Sequence, residues 1–408
     1  MEFPVVVVGG GAAGLVAAWR SAQAGRETLL LEASPRMASK VRISGGGKCN
    51  LTHAGPVREL LAAFPARQGR FLRPALHAFS NADLVELMRR EGVDTYVRAD
   101  GRVFPLDRPG SAREVVQALV GLAERAGVRF RTGTRVTGLE VRGSTVTGLL
   151  TGADRLEPGR VILATGGASY PRTGTRGEAL GWLQRLGLPV RPWAPALAPI
   201  QLQRPRPEWE GVAFRGGELR FRAQADGPLQ GRVAGDLLFT RAGISGPAVL
   251  HLSESVEAAR RAGCALLEYA FVRSAEDLER QWLSPTSAQA TLRRWLMAWI
   301  PERVAASLLA DLALPADQRL GQLGREPRRR LLAALAGFDL GPASAVPLEQ
   351  GEVCAGGLDL DAVDPRTLAV RGWDNLAVCG ELLDINGPVG GYNLQAAFST
   401  GFLAGAPA

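Results

Sequence analysis

The sequence predicts an α/β protein, a parallel sheet with flanking helices, interrupted by an inserted β-rich domain and then a helical segment. Three observations carry this. A four-valine run at the N-terminus leads directly into a glycine cluster and an alanine-rich stretch. The same order of strand, glycines and helix returns at 375–405. Between them, from about Pro192, the pattern switches to short strands with turn signals, then to apolar residues at three- and four-residue spacing. The expected boundaries are 1–191 and 342–408 for the two parts of the first domain, 192–273 for the β-rich insertion and 274–341 for the helical segment.

The first element is "PVVVV", a buried parallel strand. Gly9, Gly11 and Gly14 follow it with GxGxxG spacing, and a helix runs on to about Ala24, where Gly25 stops it. "TLLLE" (28–32) is the next strand, ending in Glu32. This is a βαβ unit that binds a dinucleotide. Gly9 makes the tight turn, Gly11 admits a pyrophosphate close to backbone, and Gly14 lets helix pack on strand. Ala12 and Ala13 open the helix, whose free N–H groups and partial positive charge face the phosphates. Glu32 accepts both ribose hydroxyls.

"SKVRISGGGKCNLTH" (39–53) comes next and holds Lys40 and Lys48, the two lysines among 48 Lys and Arg residues. Such a segment is expected to run back along the cofactor. Its glycines, with Ser44, Gly45, Gly46 and Asn50 as candidate contacts, let backbone approach without a Cβ in the way. The lysines would be compact charges beside a pyrophosphate or a reduced ring.

"RVILATGG" (160–167) is a further buried strand ending at Thr165 and Gly166. "NLAVCGELLDINGPVGGYNLQAAFSTG" (375–401) is a strand ending in Gly380 and Glu381, then a glycine-rich loop containing Asp384, then a helix from about Tyr392. An acid at that strand end suits a ribitol hydroxyl. A helix starting after Gly390 and Gly391, with Tyr392 and Asn393 in its first turn, directs N–H groups at the pyrimidine edge of a flavin, which gains negative charge on reduction. Val136 joins this candidate set. No second strand–GxGxxG–helix unit with its own acid is present. The reading is therefore a Rossmann-like FAD-binding domain built from both ends of the chain, with NAD(P)H as a transient co-substrate without a domain of its own.

At these residues the sequence resembles the bacterial FAD-dependent oxidoreductases related to the bile-acid-inducible reductase, within the two-dinucleotide-binding-domain flavoproteins. The matching stretches are "GGGAAGLVAA", "SGGGKCNLTH", "ATGGASYPRTGTRGEAL", "PALAPIQL", "GDLLFTRAGISGPAVL", "AGGLDLDAVDPRTL" and "GELLDINGPVGGYNLQAAFSTG". The resemblance implies FAD and marks Lys40 as a basic position of the family. The chain departs from the family's usual pattern at Lys48, where Arg is usual, at Cys379, where Ala is usual, and around 361–371, where an acid near Ala362 and a run after Thr367 are missing.

The flavin carries the redox chemistry, so the protein supplies position and at most a proton. Tyr170 and Cys49 are the catalytic candidates, with His53 and Asp384 beside them in flavin-proximal motifs. The inserted region is expected to shape the substrate site, and its Trp282, Trp295 and Trp299 read as core. The expected reaction is reduction or desaturation of a C=C bond near a carbonyl of a small organic substrate. An oxygen-using oxidase, and an FAD-binding sensor or RNA-associated protein, are the alternatives.

Composition narrows the rest. The net charge is +8 and the pI about 10.0, but the arginines are dispersed and Arg replaces Lys almost throughout, so nucleic acid is not the expected partner. Four scattered cysteines and three histidines offer no metal-ligand spacing. No apolar run reaches the roughly 20 residues of a membrane helix, and Glu2 with no basic residue before the valines argues against a signal peptide. A cytoplasmic protein is expected; nothing in the sequence fixes its oligomeric state.

Overall fold

The computed structural model describes residues 2–106, 110–152, 154–284 and 287–407. The chain divides into two compact units, Met1–Ala194 with Leu348–Ala408, and Pro195–Pro347.

The first unit is built on a seven-stranded sheet. Its parallel strands lie in the order Arg129–Arg131, Thr28–Leu31, Glu2–Val8, Arg155–Leu163 and Leu376–Val378. The hairpin of Val136–Arg142 and Thr145–Thr151 joins the start of Arg155–Leu163 antiparallel. Val5 to Val8 are at most 5% exposed, as a strand flanked on both sides must be. Each contributes about 1.5–3 kcal/mol by burial. The helices Ala12–Gln23 and Tyr392–Ala404 come from opposite ends of the chain and pack together, so closely that a Cβ on Gly401 would strike the Ala13 carbonyl. A small antiparallel sheet of Thr52–His53, Arg102–Pro105 and Thr95–Val97 sits in the same unit.

The second unit carries an eight-stranded antiparallel sheet, the helix Pro247–Ala262, and the helices Ala275–Trp282, Leu292–Leu296, Glu302–Asp311 and Arg325–Ala336. Trp282 and Trp295 meet edge to face at 5.0 Å in its core. Two expectations need correction. The stretch from Pro247, expected to continue the strands, is a helix capped by Gly246. And 342–345, expected to lie back in the first domain, belongs to the strand Phe338–Ala345. That strand fills the inserted sheet between Leu266–Ala270 and Ile200–Leu202.

No helix among the described residues is long and apolar enough to cross a membrane.

Candidate functional site

The strand register sets the site. Val8 lies opposite Leu31 and Leu163, and Leu163 opposite Val378. Gly9, Glu32, Ala164–Gly166 and Cys379–Glu381 therefore leave the sheet along one carboxyl edge, where open α/β sheets bind ligands. Glu32 is fixed there: its Oε2 accepts from the Gly10 N–H and its Oε1 from the Ser34 N–H, both at 2.7 Å. Its carbonyl accepts from Thr134 N–H at 2.9 Å, and Val136, buried, begins the next strand two residues on.

The glycines differ in a way that suits a bound dinucleotide. A Cβ on Gly14 would collide with the Gly9 carbonyl oxygen, so this glycine serves packing. A Cβ on Gly11, the N-cap of the first helix, would meet nothing within 4 Å. The first-turn N–H groups, at Ala12 and Ala13, have no intrahelical acceptor. Close by in the sheet order, the Thr165 hydroxyl is buried without a hydrogen-bond partner. An open cradle, a helix N-terminus, a fixed acid and an orphaned hydroxyl on one edge fit the pyrophosphate and ribose of FAD.

Lys40 is the surprise. Its Nζ donates to Ser169 Oγ at 2.6 Å and to Glu381 Oε1 and Oε2 at 3.0 and 2.8 Å. Glu381 also accepts from Cys354 N–H at 3.0 Å and from Gly167 N–H at 3.4 Å. Lys40, expected beside a pyrophosphate or a reduced ring, here has its charge met by a carboxylate. Glu381, expected to take a ribitol hydroxyl, is a hub for three segments. The helix Ser39–Gly47 stops being helical at Ser44, and Gly45 and Gly46 turn left-handed with φ of 57° and 69°. The segment is a short helix followed by a glycine turn. Lys48 caps it, half-buried.

Beyond this turn the chain meets its own C-terminal loop. The Asn50 amide fits with its oxygen on Gly391 N–H at 2.9 Å and its nitrogen on the Thr52 carbonyl at 3.2 Å. His53 Nδ1 lies 3.2 Å from the Gly390 carbonyl, and its ring stacks on Tyr392 at 4.7 Å. Thr52 Oγ1 donates to the buried Gln395 at 2.6 Å. The start of the last helix is thus enclosed by residues 50–53.

Three candidates find other roles. Asn393 bonds its own loop, accepting from Gly387 N–H at 2.7 Å and donating to the Gly387 carbonyl at 2.8 Å, so its side chain is not offered to a cofactor. Asp384 faces Arg191 at 3.1 Å and Arg67 at 4.0 Å; burial pushes its carboxyl up while the arginines pull it down. Cys49 is fully buried and its thiol is pushed up to about 12 by burial. The structure thus presents it as a packed thiol, not as the exposed group a catalytic candidate needs. Tyr170 remains open: its ring is exposed, its backbone is left-handed at φ 49°, and its N–H donates to the Glu349 carbonyl at 3.2 Å. A non-glycine residue held at such a φ is strained, and strain of this kind gathers at functional sites.

Ser169, Thr52 and Cys354 were not among the expected contacts. The first two lie inside "ATGGASY" and "CNLTH", so a signal existed. Cys354, whose Sγ accepts from Ala168 N–H at 3.1 Å, had none. In the second unit a pocket is lined by Arg204, Arg206, Asp311, Phe338 and Leu340 among others, and none of the cofactor motifs reaches it in sequence. No group of three or more His, Cys, Asp or Glu residues that could hold a metal ion occurs among the described residues.

The profile described as "HI0933-like protein Rossmann domain" matches residues 3–407. The ribosomal RNA dihydrouridine synthase of Escherichia coli (strain K12) is 28% identical over 405 residues, 98% of this chain and 96% of that protein. The 3-dehydro-bile acid delta(4,6)-reductase of Clostridium scindens is 28% identical over 413 residues, 98% of this chain and 97% of that protein. A solved 3-ketosteroid delta1-dehydrogenase from Sterolibacterium denitrificans superposes with a TM-score of 0.52 at 14% identity, over 99% of this chain and 98% of the other. At that identity the likeness is one of fold.

Proposed function

The chain belongs to the HI0933-like Rossmann-domain family and is an FAD-dependent oxidoreductase, and from that premise we propose that it saturates a carbon–carbon double bond conjugated to a carbonyl. The observation that carries this is a convergence. Two relatives, each aligned over 98% of the chain, act on unlike scaffolds. Yet a dihydrouridine and a reduced 3-dehydro-bile acid both result from saturating a ring C=C near a carbonyl. Such a bond accepts a hydride at its β carbon because the carbonyl spreads the charge that develops.

In this reading the residues at the carboxyl edge hold FAD: Gly9 to Gly14 and Glu32 at the adenosine and pyrophosphate, Thr165, Gly166, Gly380 and Glu381 in the middle, and Gly45, Asn50, Gly390, Gly391 and the Tyr392 N–H at the ring. The flavin, when bound, supplies hydride chemistry; the chain orients it and excludes alternatives. NAD(P)H is the donor, visiting without a second dinucleotide domain. The first substrate reading is a small enone. A second is a uridine carried in RNA, favoured by the dihydrouridine synthase relatives.

Anaerobic mixing tests this. NADH or NADPH should bleach the flavin, and a cyclic enone or a uridine-containing ribosomal RNA transcript should then restore its colour without oxygen. Recovery only on admitting oxygen would make the protein an oxidase. A flavin that neither nicotinamide reduces would make it a sensor.

A further inference from the structure

One peptide unit leads into the last helix, between Gly390 and Gly391. Both glycines lie in the left-handed region, with φ of 138° and 92°. With glycine on either side, no Cβ opposes rotation of that peptide plane. Its orientation has to be chosen from outside, and two side chains choose it. The Gly390 carbonyl lies 3.2 Å from His53 Nδ1. A carbonyl only accepts, so Nδ1 carries the imidazole proton and donates it. At the other end of the same peptide, the Gly391 N–H donates to the Asn50 amide oxygen at 2.9 Å. The unit is therefore gripped at its oxygen and at its hydrogen by one short segment far upstream in the chain.

The gripping residues are themselves fixed. The strand Thr52–His53 pairs with Arg102–Pro105, with His53 opposite Arg102. The His53 carbonyl accepts from the buried Asn81 side chain at 2.9 Å, and the same amide nitrogen donates to the Gly55 carbonyl at 2.9 Å. The His53 imidazole stacks on Tyr392 at 4.7 Å and 20°, and a Cβ on Gly101 would strike its Nε2. Turning Nδ1 off Gly390 would break that packing. The Asn50 amide is set in the same way, since its nitrogen donates to the Thr52 carbonyl at 3.2 Å. A Cβ on Gly390 would crowd Tyr392 Cε2 at 2.9 Å, and one on Gly391 would strike the Thr52 carbonyl. The packing that demands glycine here thus leaves the peptide with no stiffness of its own.

This peptide directly precedes the helix Tyr392–Ala404, whose first-turn N–H groups have no intrahelical acceptor. Turning a peptide over reverses a dipole of about 3.5 D. Beside a ring that gains negative charge on reduction, such a reversal disfavours the reduced form. We propose that His53 and Asn50 are positioning residues that hold the Gly390–Gly391 peptide in the orientation that favours reduced flavin. The proposal rests on the reading that the last helix meets the ring of FAD. It gives His53 a part that needs no proton transfer to substrate, because it acts through the Gly390 carbonyl.

The test compares the parent holoenzyme with His53→Ala, His53→Asn, His53→Gln and Asn50→Ala, all matched for FAD content. Hydrogen exchange, read by mass spectrometry on fragments spanning 387–394, reports the grip itself. Exchange there should quicken roughly fivefold to tenfold in His53→Ala and in Asn50→Ala, as for the loss of one net hydrogen bond. His53→Asn should return to the parent rate, because its side-chain N–H group sits as many bonds from the backbone as Nδ1. His53→Gln reaches one bond further and should not. Spectroelectrochemical titration of the bound flavin reports the consequence. His53→Ala and Asn50→Ala should bind reduced FAD roughly tenfold more weakly relative to oxidised FAD, a midpoint potential about 30 mV lower for a two-electron couple, with His53→Asn again close to the parent. Parent-like exchange in His53→Ala and Asn50→Ala would overturn the grip, whatever the flavin does. A potential that falls equally in His53→Asn would overturn the donor role and leave the ring as packing. Faster exchange at an unchanged potential would overturn the role at the cofactor and the placing of the ring at the last helix, while FAD binding by the βαβ unit would stand.

Discussion

The first and last helices of the chain both begin at a glycine, yet their surroundings differ. Gly11 opens onto free space at the first helix, and the acid fixed beside it, Glu32, lies within the same βαβ unit. Gly391 is hemmed in: a Cβ there would strike the Thr52 carbonyl, and its N–H meets Asn50. One end is a local device whose open cradle suits a phosphate. The other is assembled from segments more than 300 residues apart in sequence, as the Thr52–Gln395 bond shows. A local site tolerates change elsewhere in the chain; an assembled one fails when any of its partners moves.

The largest expected effect tests the packing of the local device. Gly14→Val would force a side chain into the Gly9 carbonyl and should prevent stable folding of the first unit, seen as loss of the cooperative thermal transition. Gly11→Ala should cost the apoprotein only about 1 kcal/mol as a poorer N-cap while clearly weakening FAD, measured by flavin fluorescence. Equal apoprotein destabilisation by both would erase the distinction between the two glycines.

Glu32→Ala comes next. It removes two hydrogen bonds to a charged acceptor, about 1.5–3 kcal/mol each, and should yield a largely colourless protein. Retention of full, tight FAD would remove Glu32 from the site.

Lys40→Met should have a middling effect. The pair is 28% and 17% exposed, so its loss should cost about 1–2 kcal/mol in a denaturant titration. A double-mutant cycle with Glu381→Gln should show a coupling of about 1 kcal/mol. Additive effects would mean that the pair contributes nothing as a pair.

The order of these effects matches what could be read from the sequence. The βαβ unit was legible because glycine spacing, valine run and terminal acid are local patterns with one geometric solution. The strand ends at Thr165 and Glu381 were legible for the same reason. The partners were not. Lys40 and Glu381 are 341 residues apart, and spacing does not reveal that an acid at a strand end meets a lysine. Asn393 lies in the flavin motif yet bonds its own loop. Cys49 sits in the most distinctive motif of the chain, and only packing shows that its thiol is sealed. The strand Phe338–Ala345 was misplaced because its Gly-Pro content resembles a connection, while its role as an interior strand depends on distant neighbours.

Smaller effects probe the assembled end. Asn50→Ala removes an acceptor from the Gly391 N–H and should cost about 1 kcal/mol of stability, with a larger relative loss in flavin reduction rate. Smallest of all, Cys49 should resist iodoacetamide in the native protein at mildly alkaline pH, as a thiol pushed up to about 12 requires, while the half-exposed Cys264 reacts. Rapid alkylation of Cys49 would show that the turn after Gly45 opens readily.

The central claim is that one FAD is held by both ends of the chain. Amide hydrogen exchange of the apoprotein with and without FAD tests it most directly. Protection should appear together in 9–14, 32–36, 44–53, 164–169 and 380–393. Protection confined to the N-terminal βαβ unit, with 44–53 and 380–393 unchanged, would contradict it.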